Sequence, residues 1–149
     1  SLLRLIAGEA LPHSGSVRRA SGLEISYVPQ QAGFLSGSLA DFAEQQGLDR
    51  TQFFTLLRKL DVSRPLLERD MAGYSAGQKK KVLLAASLCR SAHLYVWDEP
   101  LNYIDLFSRM QIEELILEHR PTLIVVEHDR TFREKISVRQ VALQRPAEA

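Results

Sequence analysis

The sequence predicts an α/β protein built on a parallel sheet, and three features carry that expectation. His93-Leu94-Tyr95-Val96-Trp97 is a short apolar run ended by Asp98-Glu99-Pro100, and Thr122-Leu123-Ile124-Val125-Val126 is a β-branched run ended by Glu127-His128-Asp129. Between them, Asp105 caps a stretch with Leu106, Met110, Leu115 and Ile116 among its apolar positions, which is helical spacing. Two continuous apolar runs joined by an amphipathic helix describe a βαβ unit of a sheet buried on both faces. Ligands of such sheets sit beyond the carboxyl ends of the strands, where Asp98, Glu99 and His128 fall.

The other elements follow in order. Leu2 to Ala7 is an apolar helical stretch stopped by Gly8. Pro12 to Gly22 is polar, with a turn signal at Ser14-Gly15-Ser16. Ile25, Tyr27 and Val28 form a short strand halted at Pro29, and Gln30 to Gly37 is loop. From Ser38 to Glu68 the pattern is helical: Leu39, Phe42 and Ala43 suit one short helix, and Phe53, Phe54, Leu56, Leu57 and Leu60 another. Gly73 to Gly77 opens a helix in which Val82, Ala85, Ala86 and Cys89 give one buried face. The tail from Arg145 is expected to fray.

The chain has 149 residues, the size of one domain, with 45% apolar and 25% charged residues, the balance of a protein with a real core. Nineteen Lys and Arg against 18 Asp and Glu leave +1, far less basic than a protein that coats nucleic acid. One cysteine excludes a disulfide framework and a Cys-rich zinc site, and fits a reducing compartment. No apolar run approaches the ~20 residues that cross a bilayer. A soluble, cytoplasmic domain is expected.

An acid pair at a strand end suits a hydrolytic ATP site, with Asp98 holding Mg²⁺ and Glu99 polarising the attacking water. Solvated or turn-capping acids are the plain alternative, and a helicase-type ATPase shows the same pair. Tyr74-Ser75-Ala76-Gly77-Gln78-Lys79 puts small residues where a helix begins, an anion site by its free N–H groups and dipole, or simply a Ser N-cap with a glycine turn. Lys79-Lys80-Lys81 follows in the first turn, where the dipole disfavours cations.

Together these segments resemble the nucleotide-binding domain of ABC ATPases, across nearly the whole chain. Tyr27-Val28-Pro29-Gln30 resembles the Q-loop, Tyr74 to Gln78 the signature motif, Leu94 to Glu99 Walker B with its catalytic glutamate, Glu99 to Asp105 the D-loop, and His128 the switch histidine. The resemblance implies a P-loop NTPase core of RecA-like type at about 1–37 and 77–143, a small helical subdomain at about 38–76, and a tail at 144–149. It implies ATP and Mg²⁺ as cofactors. Glu99 and His128 would be catalytic, and Asp98 and Gln30 would hold Mg²⁺. Gln30, Ser75, Ala76, Gly77, Gln78, Asn102 and Asp105 would be nucleotide-binding, the signature reading the ATP of a partner cassette.

Three departures from the pattern matter. Ala76 replaces the first signature glycine and Tyr74 the usual leucine, leaving Ser75 and Gly77 in place. No Gly-x-x-x-x-Gly-Lys-Ser/Thr occurs in the 149 residues, and Ser1-Leu2-Leu3 resembles the stretch that follows it. The expectation is therefore an N-terminally truncated fragment, with its phosphate cradle upstream, that does not turn over ATP alone.

Asn102-Tyr103-Ile104-Asp105 resembles the ABC-F group, where transporter ATPases more often read Ser-Ala-Leu-Asp, and the helical segment is short as in that group. Residues 74–133 resemble more narrowly the second cassette of ABC-F proteins that protect ribosomes from lincosamides, streptogramin A and pleuromutilins. Glu127 stands where most ABC-F members have Ser or Thr; it can tune His128 or be a solvated or salt-bridged acid. That resemblance implies the C-terminal part of a cytoplasmic ATPase with a second cassette upstream in the same chain, the ribosome and its rRNA as partner, and no membrane domain. The alternatives are the ATPase subunit of a membrane transporter and a non-catalytic truncated remnant. Trp97 is expected in the core, Cys89 to be inert, and His13, His93 and His119 to hold no metal.

Overall fold

The computed structural model describes residues 2–136 and 139–143; Ser1 and the tail from Gln144, including Arg145, lie outside the described residues. Three strands, β1 (Ile25–Val28), β2 (Leu94–Asp98) and β3 (Leu123–Val126), form a parallel sheet in the order β1-β2-β3. The helices are α1 (Leu2–Ala7), α2 (Leu39–Gln45), α3 (Arg50–Lys59), α4 (Arg64–Leu67), α5 (Ala76–Cys89), α6 (Leu106–His119) and α7 (Arg130–Ile136), with a 3₁₀ turn at Met71–Gly73.

The short helices before α5 start where polar side chains can cap them. Ser38 accepts from the Asp41 amide, and Asp49 from the Gln52 amide. Asp70 accepts from Ala72 and also from Gly37, joining the two ends of the helical segment. Phe53, Leu57, Leu60 and Met71 of that segment share one buried cluster with Val28 and Trp97 of the sheet.

Three expectations are corrected. First, α5 does not bury a single face: every residue from Lys80 to Leu88 is buried. The helix lies between α3 and the sheet, so its Ala, Val and Leu side chains meet protein all round. Second, Leu106 and Met110 of α6 are 75% and 50% exposed, while Ser108, Ile112, Leu115 and Ile116 face inward. The Asp105 cap sets the rotation of the helix, and apolar spacing alone did not distinguish its two apolar stripes. Third, β3 lies at one end of the three described strands with Ile124 exposed and its neighbours half-buried, whereas Val96 and Trp97 of β2 between them are fully buried.

Trp97 packs in the core as expected. Its Nε1–H donates to Ser87 Oγ at 2.9 Å, and that hydroxyl lies 2.6 Å from Ser26 Oγ. The buried chain thus joins β1, α5 and β2 by polar groups that would otherwise be unsatisfied. Cys89 is half-buried, and burial pushes its thiol up to about 11, which keeps it unreactive.

Candidate ATP site

Parallel pairing gathers the site. Val28 pairs with Trp97 and Asp98 with Val126, so the three strands end together and the loops after them lie side by side. Gln30, Glu99 and His128 therefore meet although they are far apart in the chain. Glu99 is their hub: its Oε2 accepts from Gln30 Nε2 at 2.5 Å and Asn102 Nδ2 at 3.0 Å, and its Oε1 lies 2.9 Å from His128 Nε2. Three of roughly four acceptor sites on the carboxylate are thereby filled, leaving one for a water.

Glu99 also holds a left-handed backbone, φ +47°, which a non-glycine residue adopts only where its surroundings impose it. Its amide donates to Val126 O at 2.8 Å, tying the turn to β3. The turn takes the chain off β2 and aims the carboxylate across the strand ends. The Glu99 side chain is 17% exposed, whereas that of His128 is 83% exposed. The histidine thus approaches from the solvent side.

Asp98 is half-buried beside this hub. Burial, and next the neighbouring Glu99, raise its proton affinity, while Lys80 opposes them. Among the described residues its carboxylate accepts no hydrogen bond. A carboxylate so placed fits a cation. No cluster of three or more His, Cys, Asp or Glu suited to a metal exists among the described residues.

The signature residues are placed differently. Ser75 and Gln78 form a reciprocal capping box at the start of α5, Gln78 N–H donating to Ser75 Oγ at 3.1 Å and Ser75 N–H to Gln78 Oε1 at 2.8 Å. Ala76 is exposed beside them. Gly77 is required for a local reason: a Cβ there would lie 2.4 Å from the Tyr103 carbonyl oxygen, so the helix start and the Glu99–Asp105 loop touch backbone to backbone. No hydrogen bond among the described residues joins Ser75, Ala76 or Gln78 to Glu99. Between Gln30, Gly33, Ala76, Lys80 and Tyr103 lies a cleft of about 190 Å³. It is smaller than the ~300 Å³ at which ligand pockets begin.

Asp105 ends the loop as the N-cap of α6. Its carboxylate accepts from the Ser108 amide at 3.0 Å and the Ser108 hydroxyl at 2.8 Å, bonds that hold it below the usual carboxylate range. Lys81 Nζ stands 3.7 Å away.

Lys80, which the sequence left without a role, and Glu127, for which it left alternatives open, shape this site. Lys80 is 1% exposed, and its Nζ donates to the Pro29 and Gln30 carbonyls at 3.1 and 2.7 Å. Burial lowers its proton affinity, opposed by Asp98, Glu99 and Glu127, so it is a cation set beneath three strand-end carboxylates. A lysine run at a helix start, where the dipole disfavours it, was the available signal. Glu127 is half-buried and forms no ion pair among the described residues: its Oε2 accepts from Leu101 N–H at 3.1 Å, and its Oε1 from His128 and Asp129 N–H at 2.9 and 3.3 Å.

A parallel sheet with helices and strand-end carboxylates gathered beyond it is the α/β core of P-loop NTPases. Within that class the family is shown directly: the family described as ABC transporter matches residues 1–102, and the chain belongs to it. ATP-binding protein Uup of Buchnera aphidicola is 29% identical over 89% of this chain and 24% of its own length. Escherichia coli K12 YheS, described as a probable ATP-binding protein, is 31% identical over 87% of this chain and 21% of its own. The zinc import ATP-binding protein ZnuC of Pseudomonas syringae is also 31% identical, over 87% of this chain and 52% of its own. Among solved structures, a complex of archaeal ribosome recycling factor aABCE1 with ribosomal stalk protein aP1 superposes with a TM-score of 0.72 at 26% identity, covering 91% of this chain and 28% of that one. The chain spans about a quarter of the first of these relatives.

Proposed function

We propose that the chain is part of a cytoplasmic ABC-F ATPase that binds and hydrolyses ATP with Mg²⁺ and acts on the ribosome, protecting it from lincosamides, streptogramin A and pleuromutilins. The hub at Glu99 carries the ATPase reading: a carboxylate aimed across the strand ends, held by Gln30, Asn102 and His128, with one acceptor site left for a water. The ABC-F reading is supported by the Asn102 to Asp105 run and the Uup and YheS matches, and the ribosome reading by the recycling-factor neighbour. A second cassette in the same polypeptide is the partner that the signature residues Ser75, Ala76, Gly77 and Gln78 serve.

Bound ATP would supply the phosphoryl group, and Mg²⁺ would offset the charge that develops on it. Asp98, with help from the Gln30 amide, is the residue to hold the metal. Glu99 takes the proton of the attacking water at its free acceptor site. His128 keeps its Nε2–H toward Glu99 and faces the solvent side. Asn102 fixes the second carboxylate oxygen, so the base cannot rotate away from the water. Gln30 keeps its Nε2–H on Glu99, and its amide oxygen would be the atom left for the metal.

In the complete protein, Glu99→Gln is expected to slow hydrolysis ~10²–10⁴-fold, the usual contribution of a general base. Sedimented with ribosomes, that variant should travel with them only when ATP is present. Normal hydrolysis by the variant would remove Glu99 from its role. A second reading, the ATP-binding subunit of a membrane transporter, is favoured by the ZnuC match. Free variant at the top of the gradient, with wild type in the membrane fraction, would establish that reading instead.

A further inference from the structure

The two loops that carry Glu99 and His128 are strapped to each other by one carboxylate. Glu127 is the first residue after β3, and its two oxygens serve different loops. Oε2 accepts from the amide of Leu101, two residues beyond Glu99, and Oε1 from the amides of His128 and Asp129. A second strap runs nearby: Arg109 of α6 donates from Nε to the Ile104 carbonyl at 3.2 Å and from Nη1 to Asp129 Oδ2 at 2.7 Å. The backbone on either side of the 2.9 Å pairing of Glu99 with His128 is therefore fixed by side chains that touch neither reacting group.

From this geometry we infer that Glu127 is a positioning residue for the Glu99–His128 pair, holding the base and the histidine at their working separation by bonding the backbone of both loops. The inference rests on the ATPase reading given above. Only a carboxylate at this place has two acceptor oxygens pointing to two loops. A glutamine keeps the shape but has one acceptor, and its NH₂ would face a backbone donor. One loop is then released, and an exposed histidine loses the anchor at its own amide. Ground-state nucleotide binding does not need the pair to be in register, whereas the proton transfer does.

The experiment uses the complete protein and compares wild type with Glu127→Gln, Glu127→Asp and Glu99→Gln, measuring kcat and KM for ATP hydrolysis and the melting temperature of each. Glu127→Gln is expected to lose at least tenfold in kcat, with KM changed less than twofold and the melting temperature held. Glu127→Asp keeps the charge but is one methylene too short to reach both loops, so the same split is expected of it. It also decides the matter should Glu127→Gln fail to fold. Wild-type kcat in both variants, or a loss that appears in KM or follows a fall in melting temperature, overturns the inference. Glu99→Gln separates the two readings: inactive Glu99→Gln beside fully active Glu127 variants leaves the ATP site intact and removes only the strap, whereas fully active Glu99→Gln removes the site itself.

Discussion

Ser87 shows how much one hydroxyl can hold. It receives the indole N–H of Trp97 and pairs with Ser26, and both partners are fully buried. Ser87→Ala should leave the indole donor without an acceptor and cost about 2 kcal/mol, within the ~1–3 kcal/mol of an unsatisfied buried group. Urea unfolding followed by Trp97 fluorescence measures this, and an unchanged midpoint would show that Ser26 takes over the indole. At the same scale the site residues differed in legibility. Asp98, Glu99 and His128 were singled out because they stand at strand ends, a local signal, and Gln30 only through the family resemblance of Tyr27 to Gln30. The strap from Glu127 to Leu101 and the bonds of Lys80 were not legible, because those partners are backbone groups 26 and about 50 residues away, and backbone groups have no sequence signature.

At the scale of elements, α6 depends on its cap. Asp105 accepts two bonds from Ser108, and these hold its carboxyl below the ordinary range. A carboxyl lowered on folding contributes stability that is complete above the unfolded value of ~3.9 and disappears as pH falls through the folded value. Asp105→Ala should therefore lose about 1 kcal/mol at pH 7. Its deficit should shrink as wild type is titrated into acid below ~3.9. Asp105→Asn, a good cap without a charge, should show little of that pH dependence, and thermal melts from neutral pH to pH 2 would compare the three. Cap and strand end were visible in the sequence. The face of α6 was not, because Leu106, Phe107 and Met110 form an apolar stripe as regular as the buried one.

Across the whole molecule, Lys80 connects what the chain order separates. It stands on α5, underlies the acids at the ends of β2 and β3, and holds the backbone after β1. Removing a buried cation alone leaves the carbonyls and carboxylates it serves without their partner, which is destabilising. Lys80→Met should accordingly melt below wild type and free the Pro29–Gln30 backbone. Amide exchange across Gln31 to Leu35 should accelerate about ten- to a hundredfold, as the loss of a charge-assisted bond of ~1.5–3 kcal/mol implies. Unchanged exchange would mean that the loop is fixed by its own contacts, such as Leu35 N–H to Ala32 O.

The sequence alone determined the parallel α/β sheet, the order of its elements and the motif residues at strand ends and helix starts. Those depend on periodicity, capping and turn chemistry, which act within a few residues. The tertiary structure decided which stripe of α6 is buried, that α5 is enclosed on all sides, that Gly77 is needed to admit the Tyr103 carbonyl, and that Lys80 and Glu127 serve the site. The last two follow from the parallel pairing that sets distant loops side by side, and the first two from the elements that pack against each helix, contacts that lie far apart in the chain.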